Sequence, residues 1–337
     1  MEKLVSMWYK DNSLPENYIF PPETRPGKCI VPSSNNIPLI DLSQAVGHHR
    51  SDTIQQILKA GNQFGFFQLT NHGVPEKLIN DTMSIFKEFF EMPAAQKASV
   101  YSEDPSKSCR LYTSSVHYNR EKIHHWRDNL RHPCHPLDEC LQQWPDRPTG
   151  YREIVGAYAI EAKKLGSVIL ELISEGLGLE TGYFRDELSE SSLLSINYYP
   201  PCPDPSLTLG IPKHADPNLI TILLQGDVSG LQVFRDGKWI GVEPLPNAFV
   251  VNIGYALQII SNNKLKSAEH RAVTNSKDAR ISAAFFVSPA HSTVIEPAKA
   301  LTDSPLYRST QYKDFLAQYI SITGDTKLAL EPFKLQA

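Results

Sequence analysis

The sequence has no strong excess of charge of either sign. Its 337 residues carry 33 Lys and Arg against 37 Asp and Glu, which gives a formal net charge of −4 at pH 7. Proteins that bind nucleic acid or anionic membranes usually present a basic surface. The composition therefore predicts no nucleic-acid partner and no membrane partner.

Long hydrophobic runs are missing as well. A membrane-spanning helix needs roughly 20 apolar residues, and the longest runs, such as residues 248–251 with their flanks, are far shorter. The chain starts Met1, Glu2, Lys3 rather than with the apolar stretch of a secretory signal. These features predict a cytoplasmic protein.

Cysteine is scarce and odd in number, which argues against a disulfide framework and for reduced thiols. The five cysteines are widely spaced: Cys29, Cys109, Cys134, Cys140 and Cys202.

The composition that remains is globular, with 41 % hydrophobic and 21 % charged residues. Helical periodicity predicts a helix capped near Ser51, a helix over residues 75–92 and a longer one over 151–179, whose inward residues include Val168. Residues 1–37 read as an extended arm and 101–149 as a long irregular connection with short turns. From residue 193 the pattern changes to short apolar runs with a hairpin turn at Asp236 and Gly237.

This segregation of helices from strands favours an α+β fold in which the strands form a sandwich, jelly roll or barrel. We expect one compact unit made of a mainly helical region (1–180), a β core (190–292) and a helical tail (293–337).

A candidate metal site lies in the β half. His214 and Asp216 are two residues apart, so that on an extended segment both side chains leave one face, and His270 follows after several strands. Two imidazoles and one carboxylate form the facial triad of non-haem Fe(II) oxygenases, although zinc hydrolases use the same donors. Arg280 and Ser282, on one strand face, can hold the far carboxylate of a 2-oxo acid, which favours iron.

A second group of possible ligands lies in the irregular connection. Its spacing matches none of the usual zinc-finger pairings, and we expect no structural metal there. The group comprises His132, Cys134, His135 and Cys140.

Beyond these residues, the sequence closely resembles the plant Fe(II)/2-oxoglutarate-dependent dioxygenases over nearly its whole length. The motifs that carry the resemblance are residues 37–42, 64–75, 197–203, 214–218, 230–233 and 270–273. It implies a double-stranded β-helix, or jelly roll, core with flanking helices, and Fe(II), 2-oxoglutarate and O2 as reactants with ascorbate as reductant. Asn197 and Tyr199 are then expected to help Arg280 and Ser282 seat 2-oxoglutarate.

Within the family, the chain looks similar to the downy-mildew-resistance oxygenases, which act on salicylate or flavonoids, and to hyoscyamine 6-hydroxylase. The resemblance implies hydroxylation of a small plant metabolite such as an alkaloid, flavonoid or aromatic acid, with epoxidation or desaturation as further outcomes. Expected substrate-pocket residues are Phe286, Tyr112, Val233 and Tyr255. Tyr255 replaces the Asp of the Asn-Ile-Gly-Asp motif that many relatives carry.

Two other functions stay open at this point. One is an iron oxidase of the same fold that does not use 2-oxoglutarate, and the other is a non-catalytic jelly-roll binding protein. The partner we expect is a small molecule, and the protein itself is expected to be a monomer.

Overall fold

Two β-sheets face each other in the computed structural model, which describes residues 1–10, 13–28, 31–32, 37–322, 326 and 328–335. The large sheet has the strand order β1-β2-β10-β7-β12-β5-β4-β3, and the small sheet has the order β6-β11-β8-β9. The large-sheet strands are β1 (Leu39–Asp41), β2 (Phe66–Thr70), β3 (Arg110–Thr113), β4 (Asp128–Pro133), β5 (Ser191–Tyr199), β7 (Ile220–Leu224), β10 (Phe249–Ile253) and β12 (Arg280–Ser288). The small-sheet strands are β6 (Ile211–His214), β8 (Leu231–Arg235), β9 (Lys238–Gly241) and β11 (His270–Ala272), and β13 (Val294–Ile295) pairs separately with β14 (Thr310–Gln311). This double layer of strands is the predicted jelly roll.

Side-chain alternation gives the large sheet two chemically different faces. Along β12 the residues Ala283, Phe285 and Val287 belong to the main apolar core, whereas Arg280, Ser282 and the residues in phase with them point the other way. Successive side chains of a strand point to opposite faces. The outer face is therefore apolar and faces helices, and the inner face, towards the small sheet, carries the polar groups.

Helices cover the apolar outer face. α6 contacts α2, α3 and strands β7 and β12. The helices are α1 (Val5–Trp8), α2 (Arg50–Gln63), α3 (Glu76–Glu91), α4 (Ala94–Lys97), α5 (Leu137–Leu141), α6 (Tyr151–Leu177), α7 (Tyr255–Ile260) and α8 (Tyr312–Ser321). No helix among the residues described is long and apolar enough to cross a membrane.

Pairing in the small sheet brings distant parts of the chain together. His270 in β11 lies directly opposite His214 in β6 on one side and Val233 in β8 on the other. The predicted turn between β8 and β9 is present, with φ of 50° at Asp236 and 78° at Gly237. The chain thus comes back beside His214 at His270, which is 54 positions after Asp216.

The expectation of an irregular connection over residues 101–149 is wrong. β4 pairs with β5 from Asp128 to Pro133, β3 extends the sheet beyond β4, and α5 follows. The sequence pattern did not predict these strands because polar residues occupy both faces of β4. Asp128 accepts hydrogen bonds from the backbone N–H groups of Val5 (2.8 Å) and Ser6 (2.9 Å), and the His132 ring bonds the Tyr151 hydroxyl at 3.0 Å.

Two smaller helix predictions also need correction. α2 begins at Arg50, and its N-cap residue is His49, which makes no side-chain capping bond, so Ser51 lies inside the first turn. Val168 on α6 is 45 % exposed, because it lies on the solvent side of a helix whose other faces pack against the sheet and against neighbouring helices.

The N-terminal arm lies against the body at one end of the large sheet. Trp8, Tyr18 and Trp126 form a small aromatic cluster, with ring centroids 5.3 to 5.6 Å apart. The backbone carbonyl of Asn17 accepts a hydrogen bond from His124 N–H at 2.7 Å. The arm therefore fixes the segment that leads into β4.

The cysteines in the described residues, Cys109, Cys134, Cys140 and Cys202, are free. Burial raises the pKa of Cys109 to about 12 and that of Cys202 to about 11, which keeps both thiols protonated. Cys29 lies outside the described residues.

Gly254, the residue before α7, lies against the backbone of Asn218. A Cβ built there would lie 1.9 Å from the carbonyl oxygen of Asn218. We expect Gly254→Ala to lower the free energy of unfolding by about 1–3 kcal/mol or more, since the clash is with backbone. Thermal denaturation followed by circular dichroism measures this. Gly156→Ala, inside α6 with only an ordinary contact to Leu141 at 3.4 Å, is the control and should unfold at or above the wild-type temperature.

Candidate active site

Three side chains from the small sheet and its following segment converge on one point. His214 ends β6, Asp216 follows two residues later, and His270 begins β11. Asp216 Oδ1 lies 3.6 Å from His214 Nε2 and 3.7 Å from His270 Nε2, and one ligand atom from each of the three residues falls within 4.8 Å of the others. The predicted triad is confirmed as a cluster able to hold a metal ion.

Backbone carbonyls orient both imidazoles. His214 Nδ1–H donates to the carbonyl oxygen of Pro212 at 2.9 Å, and His270 Nδ1–H donates to that of Ala268 at 3.1 Å. The Nε2 lone pairs are then left for a metal, the arrangement usual for metal-binding histidines. Burial lowers the pKa of His214 to about 4, which keeps the ring neutral at physiological pH.

Asp216 offers a single oxygen to a metal. Its Oδ2 accepts hydrogen bonds from the Thr221 hydroxyl at 2.6 Å and from the side-chain amide of Asn252. Thr221 and Asn252 lie opposite each other on β7 and β10 of the large sheet. Two neutral imidazoles and one carboxylate oxygen, all on one side, fit six-coordinate Fe(II) with the remaining positions open.

The segment that carries the ligands is held from behind. Tyr255 N–H donates to the Asp216 carbonyl at 2.8 Å, and the Tyr319 hydroxyl of α8 donates to the Ala215 carbonyl at 2.8 Å. The Tyr255 hydroxyl bonds the Thr326 carbonyl at 3.0 Å, and its ring packs near those of Phe315 and Tyr319. Tyr255 thus supports the ligand segment, and its place in a substrate pocket stays a prediction.

Arg280 presents a buried positive charge on the inner face of β12. Its Nη1 donates to the Ser282 hydroxyl at 3.2 Å and its Nε donates to the Val228 carbonyl at 3.1 Å. Within the described part of the chain no carboxylate lies within 4.0 Å of it, although Arg280 is only 2 % exposed. Gly230 makes the room, because a Cβ there would lie 2.8 Å from Arg280 Cδ. A buried cation of this kind needs an anion, and a planar guanidinium suits a carboxylate.

The other two expected cosubstrate residues lie opposite this pair in the sheet. Tyr199 faces Arg280 in the β5–β12 register, with the guanidinium carbon 5.2 Å from the ring centroid, and Asn197 faces Ser282. Asn197 Oδ1 accepts from Arg127 Nη1 at 2.7 Å and from Asn129 Nδ2 at 2.8 Å. These bonds leave the amide NH2 group of Asn197 available to a ligand.

Sequence reasoning missed several groups around this centre. Thr221 and Asn252 hold Asp216, and of these Asn252 could have been found from the Asn-Ile-Gly motif at 252–254. Arg127, which donates to Asn197 Oδ1, lies in the segment that was expected to be an irregular connection. His125 lies beside Arg127, and burial, with the nearby charge of Arg127 adding to the effect, lowers the pKa of His125 well below its usual value.

Three of the expected substrate-pocket residues lie on inner faces of the two sheets. Phe286 is on β12 opposite Thr221, and Tyr112 is on β3 opposite Asn129. Val233 lies next to His270 in the small sheet and packs in a second apolar cluster with Phe66 and Val250. Their contact with a substrate stays a prediction.

In the second group of possible metal ligands, the buried members pack in the hydrophobic core. His132 is fully buried, and its ring lies against Trp144 with centroids 4.0 Å apart. Cys134 Sγ is 4.0 Å from His132 Nδ1, whereas His135 is near Glu190, a residue on the way into β5. Among the described residues, the only group of His, Cys, Asp and Glu that converges as a metal site is the triad.

Two family signatures match the chain. Residues 190–289 match the 2OG-Fe(II) oxygenase superfamily, and residues 37–147 match the N-terminal region of non-haem dioxygenases in morphine synthesis.

Full-length relatives are similar at more than 40 % identity. The chain is 44 % identical to Protein DOWNY MILDEW RESISTANCE 6 of Arabidopsis thaliana, with 98 % of each chain covered. It is 43 % identical to hyoscyamine 6-dioxygenase of Hyoscyamus niger (99 % of each), and 44 % identical to flavanone 3-dioxygenase 2 of Oryza sativa subsp. japonica (96 % of this chain and 95 % of the relative).

A solved structure shares the fold over nearly its whole length. The crystal structure of JOX2 in complex with 2OG, Fe and JA superimposes with a TM-score of 0.87 at 34 % identity, covering 99 % of this chain and 98 % of JOX2. The dioxygenase for auxin oxidation of rice, at 24 % identity and a TM-score of 0.78, shares the fold (89 % of this chain, 100 % of the other).

The bonds to Asp216 Oδ2 generate a prediction about metal affinity. We expect Thr221→Val or Asn252→Ala to weaken Fe(II) binding about 10- to 100-fold, the usual effect of losing a hydrogen bond that orients a ligand. Competition with a chelator under anaerobic conditions measures the affinity. Thr221→Ser keeps the hydroxyl and is the matched control. Unchanged affinity in both of the first two variants would show that Asp216 does not depend on this support.

Proposed function

We propose a function for this chain, which belongs to the 2OG-Fe(II) oxygenase superfamily and is a 2-oxoglutarate-dependent dioxygenase. It hydroxylates a small specialised metabolite such as an alkaloid, a flavonoid or an aromatic acid. One arrangement carries this proposal. The His214, Asp216 and His270 triad and the buried Arg280 share the space between the two sheets.

The chain supplies ligands, orientation and a cavity from which water can be excluded, and the oxidising chemistry belongs to the cofactor. When bound, Fe(II) supplies open coordination positions for 2-oxoglutarate and O2, with ascorbate as the reductant that keeps it ferrous. Backbone hydrogen bonds already fix the two imidazoles, so metal binding needs little reorganisation of the protein.

The residues of β5 and β12 are assigned to 2-oxoglutarate. Arg280 holds the carboxylate distant from the metal through its planar fork, and the Ser282 hydroxyl adds a second donor. Asn197 and Tyr199 flank the cosubstrate from the neighbouring strand. Arg280 is buried and has no carboxylate partner among the described residues, and it contacts Ser282. Both observations support this assignment.

Phe286, Tyr112, Val233 and Tyr255 are proposed to shape the substrate pocket. Phe286, Tyr112 and Val233 lie on the inner faces of the sheets, which supports their place in the pocket. Tyr255 acts from behind the ligand segment, where a change of side chain shifts Asp216 through its backbone bond.

The organisation of the chain stays part of the proposal. Its parts are a mainly helical region (1–180), a jelly-roll core (190–292) and a helical tail (293–337) that work as one compact unit, monomeric and cytoplasmic. The main apolar core, which contains residues of all three parts, supports the single unit.

The competing function is an iron oxidase with the same triad that does not use 2-oxoglutarate. A buried arginine without an acidic partner favours the use of a dicarboxylate. Release of labelled CO2 from 1-labelled 2-oxoglutarate, stimulated by a panel of alkaloids, flavonoids and aromatic acids, tests the proposal. Product formation without CO2 release would establish the competing oxidase. A non-catalytic binding protein would give neither product nor the weak visible band that Fe(II) and 2-oxoglutarate show together under anaerobic conditions.

Arg280→Lys should raise the apparent KM for 2-oxoglutarate about tenfold or more, because a point charge replaces a bidentate fork. Steady-state rates over a range of 2-oxoglutarate concentrations measure this. The control is Arg185→Lys, at an exposed ion pair with Glu171. An unchanged KM in Arg280→Lys would contradict the assignment.

A further inference from the structure

Two arginines face each other on the two strands at one edge of the large sheet. Arg110 on β3 lies directly opposite Arg131 on β4. Like charges directly opposite each other in a sheet destabilise it. A pair of this kind therefore calls for an explanation outside the stability of the fold.

Alternation places both arginines on the inner face, towards the small sheet. Leu111 and Leu130, the next residues along each strand, are fully buried in the apolar core on the helix side. Arg110 and Arg131 consequently share a face with Tyr112, and the guanidinium carbon of Arg110 lies 4.3 Å from the centre of the Tyr112 ring. The pair therefore lies on the same face of the large sheet as Arg280 and Ser282.

Within the described residues, no carboxylate lies within 4.0 Å of either guanidinium of the pair, although Arg110 is 3 % exposed. Asp128 lies on the outer face of β4, where the arm's backbone N–H groups use both of its oxygens, and Asp104 is exposed. Burial and the charge of Arg131 lower the pKa of Arg110, so the site favours an anion that would restore the charge balance.

The position of the pair separates it from the 2-oxoglutarate residues. Arg131 pairs with Ser195 on β5, which in turn pairs with Ala284 on β12, one step along the inner face from Ser282. Two strand spacings of about 4.8 Å put Arg131 roughly 10 Å to the side of β12. Arg280 remains the cation for 2-oxoglutarate, whereas Arg131 lies two strands away on the same sheet face and Arg110 one strand further.

We propose that Arg110 and Arg131 form a carboxylate-binding subsite for the organic substrate, so that the enzyme acts on an aromatic carboxylic acid whose ring lies near Tyr112. This inference rests on the proposed function and narrows it. A cationic alkaloid would meet two like charges, and a neutral flavonoid would leave the buried pair without a partner anion.

A binding measurement tests the proposed subsite independently of catalysis. Calorimetry with the full chain, loaded anaerobically with Fe(II) and 2-oxoglutarate, compares salicylate, cinnamate, 4-coumarate and indole-3-acetate with their primary amides. We expect at least one acid to bind about tenfold or more tighter than its amide, because the amide has no charge to pair with two arginines. If every amide binds as well as its acid, or if a tropane alkaloid or a flavanone binds more tightly than every acid, the subsite is wrong.

Substitution then identifies the residues responsible. Arg131→Gln should remove most of the preference for acid over amide and leave the Kd for 2-oxoglutarate unchanged. Arg110→Gln should act likewise, and Arg131→Gln serves alone if loss of the more buried arginine impairs folding. Arg120→Gln, an equal charge change at an exposed residue, should keep the full preference. An unaltered preference in Arg131→Gln would overturn the proposal.

Turnover is scored separately by succinate release. An acid that binds through the pair in a protein that releases no succinate with any compound supports the subsite and contradicts the proposed function. Succinate release with neutral or cationic compounds, without discrimination between acids and amides, supports the function and contradicts the subsite.

Discussion

The alternation of side chains in the large sheet is the constraint on which the rest of the structure depends. Most strands offer apolar residues to the helices on one face and place their polar residues on the other, and β4 is the exception. A slip of one residue in the β5–β12 register would move Arg280 and Ser282 into the apolar core and Phe285 into the cavity. The apolar packing against α2, α3 and α6 thus fixes the position of the polar groups.

Hydrogen bonds between side chains hold the polar interior together. Asn129 and Arg127 both donate to Asn197, and Thr221 and Asn252 both donate to Asp216. Each network joins neighbouring strands, so the hydrogen bonds that meet the needs of buried groups also set the spacing of the site. The large sheet thereby orients a carboxylate that the segment after β6 carries.

The sequence was most informative where chemistry demands particular residue types. Two histidines and an aspartate at suitable spacing, with Arg280 and Ser282 downstream, predicted which side chains meet, and long periodic segments such as α3 and α6 were predicted within two residues. β3 and β4 were missed because both of their faces carry polar residues, so that no apolar alternation remained. Their role depends on partners far away in the chain, including the backbone of Val5 and Ser6 at Asp128, which a local pattern cannot reveal.

The hydrogen bond from Tyr319 to the Ala215 carbonyl also has a consequence for the biosynthesis of the protein. The two residues are 104 positions apart, and His270 is made between them. A ribosome completes β6 well before the second imidazole exists, and the brace from α8 comes later still. The ligand pair, the third ligand and the brace are therefore synthesised in that order. A chain that ends before α8 would carry all three ligands and lack the brace on the Ala215 carbonyl.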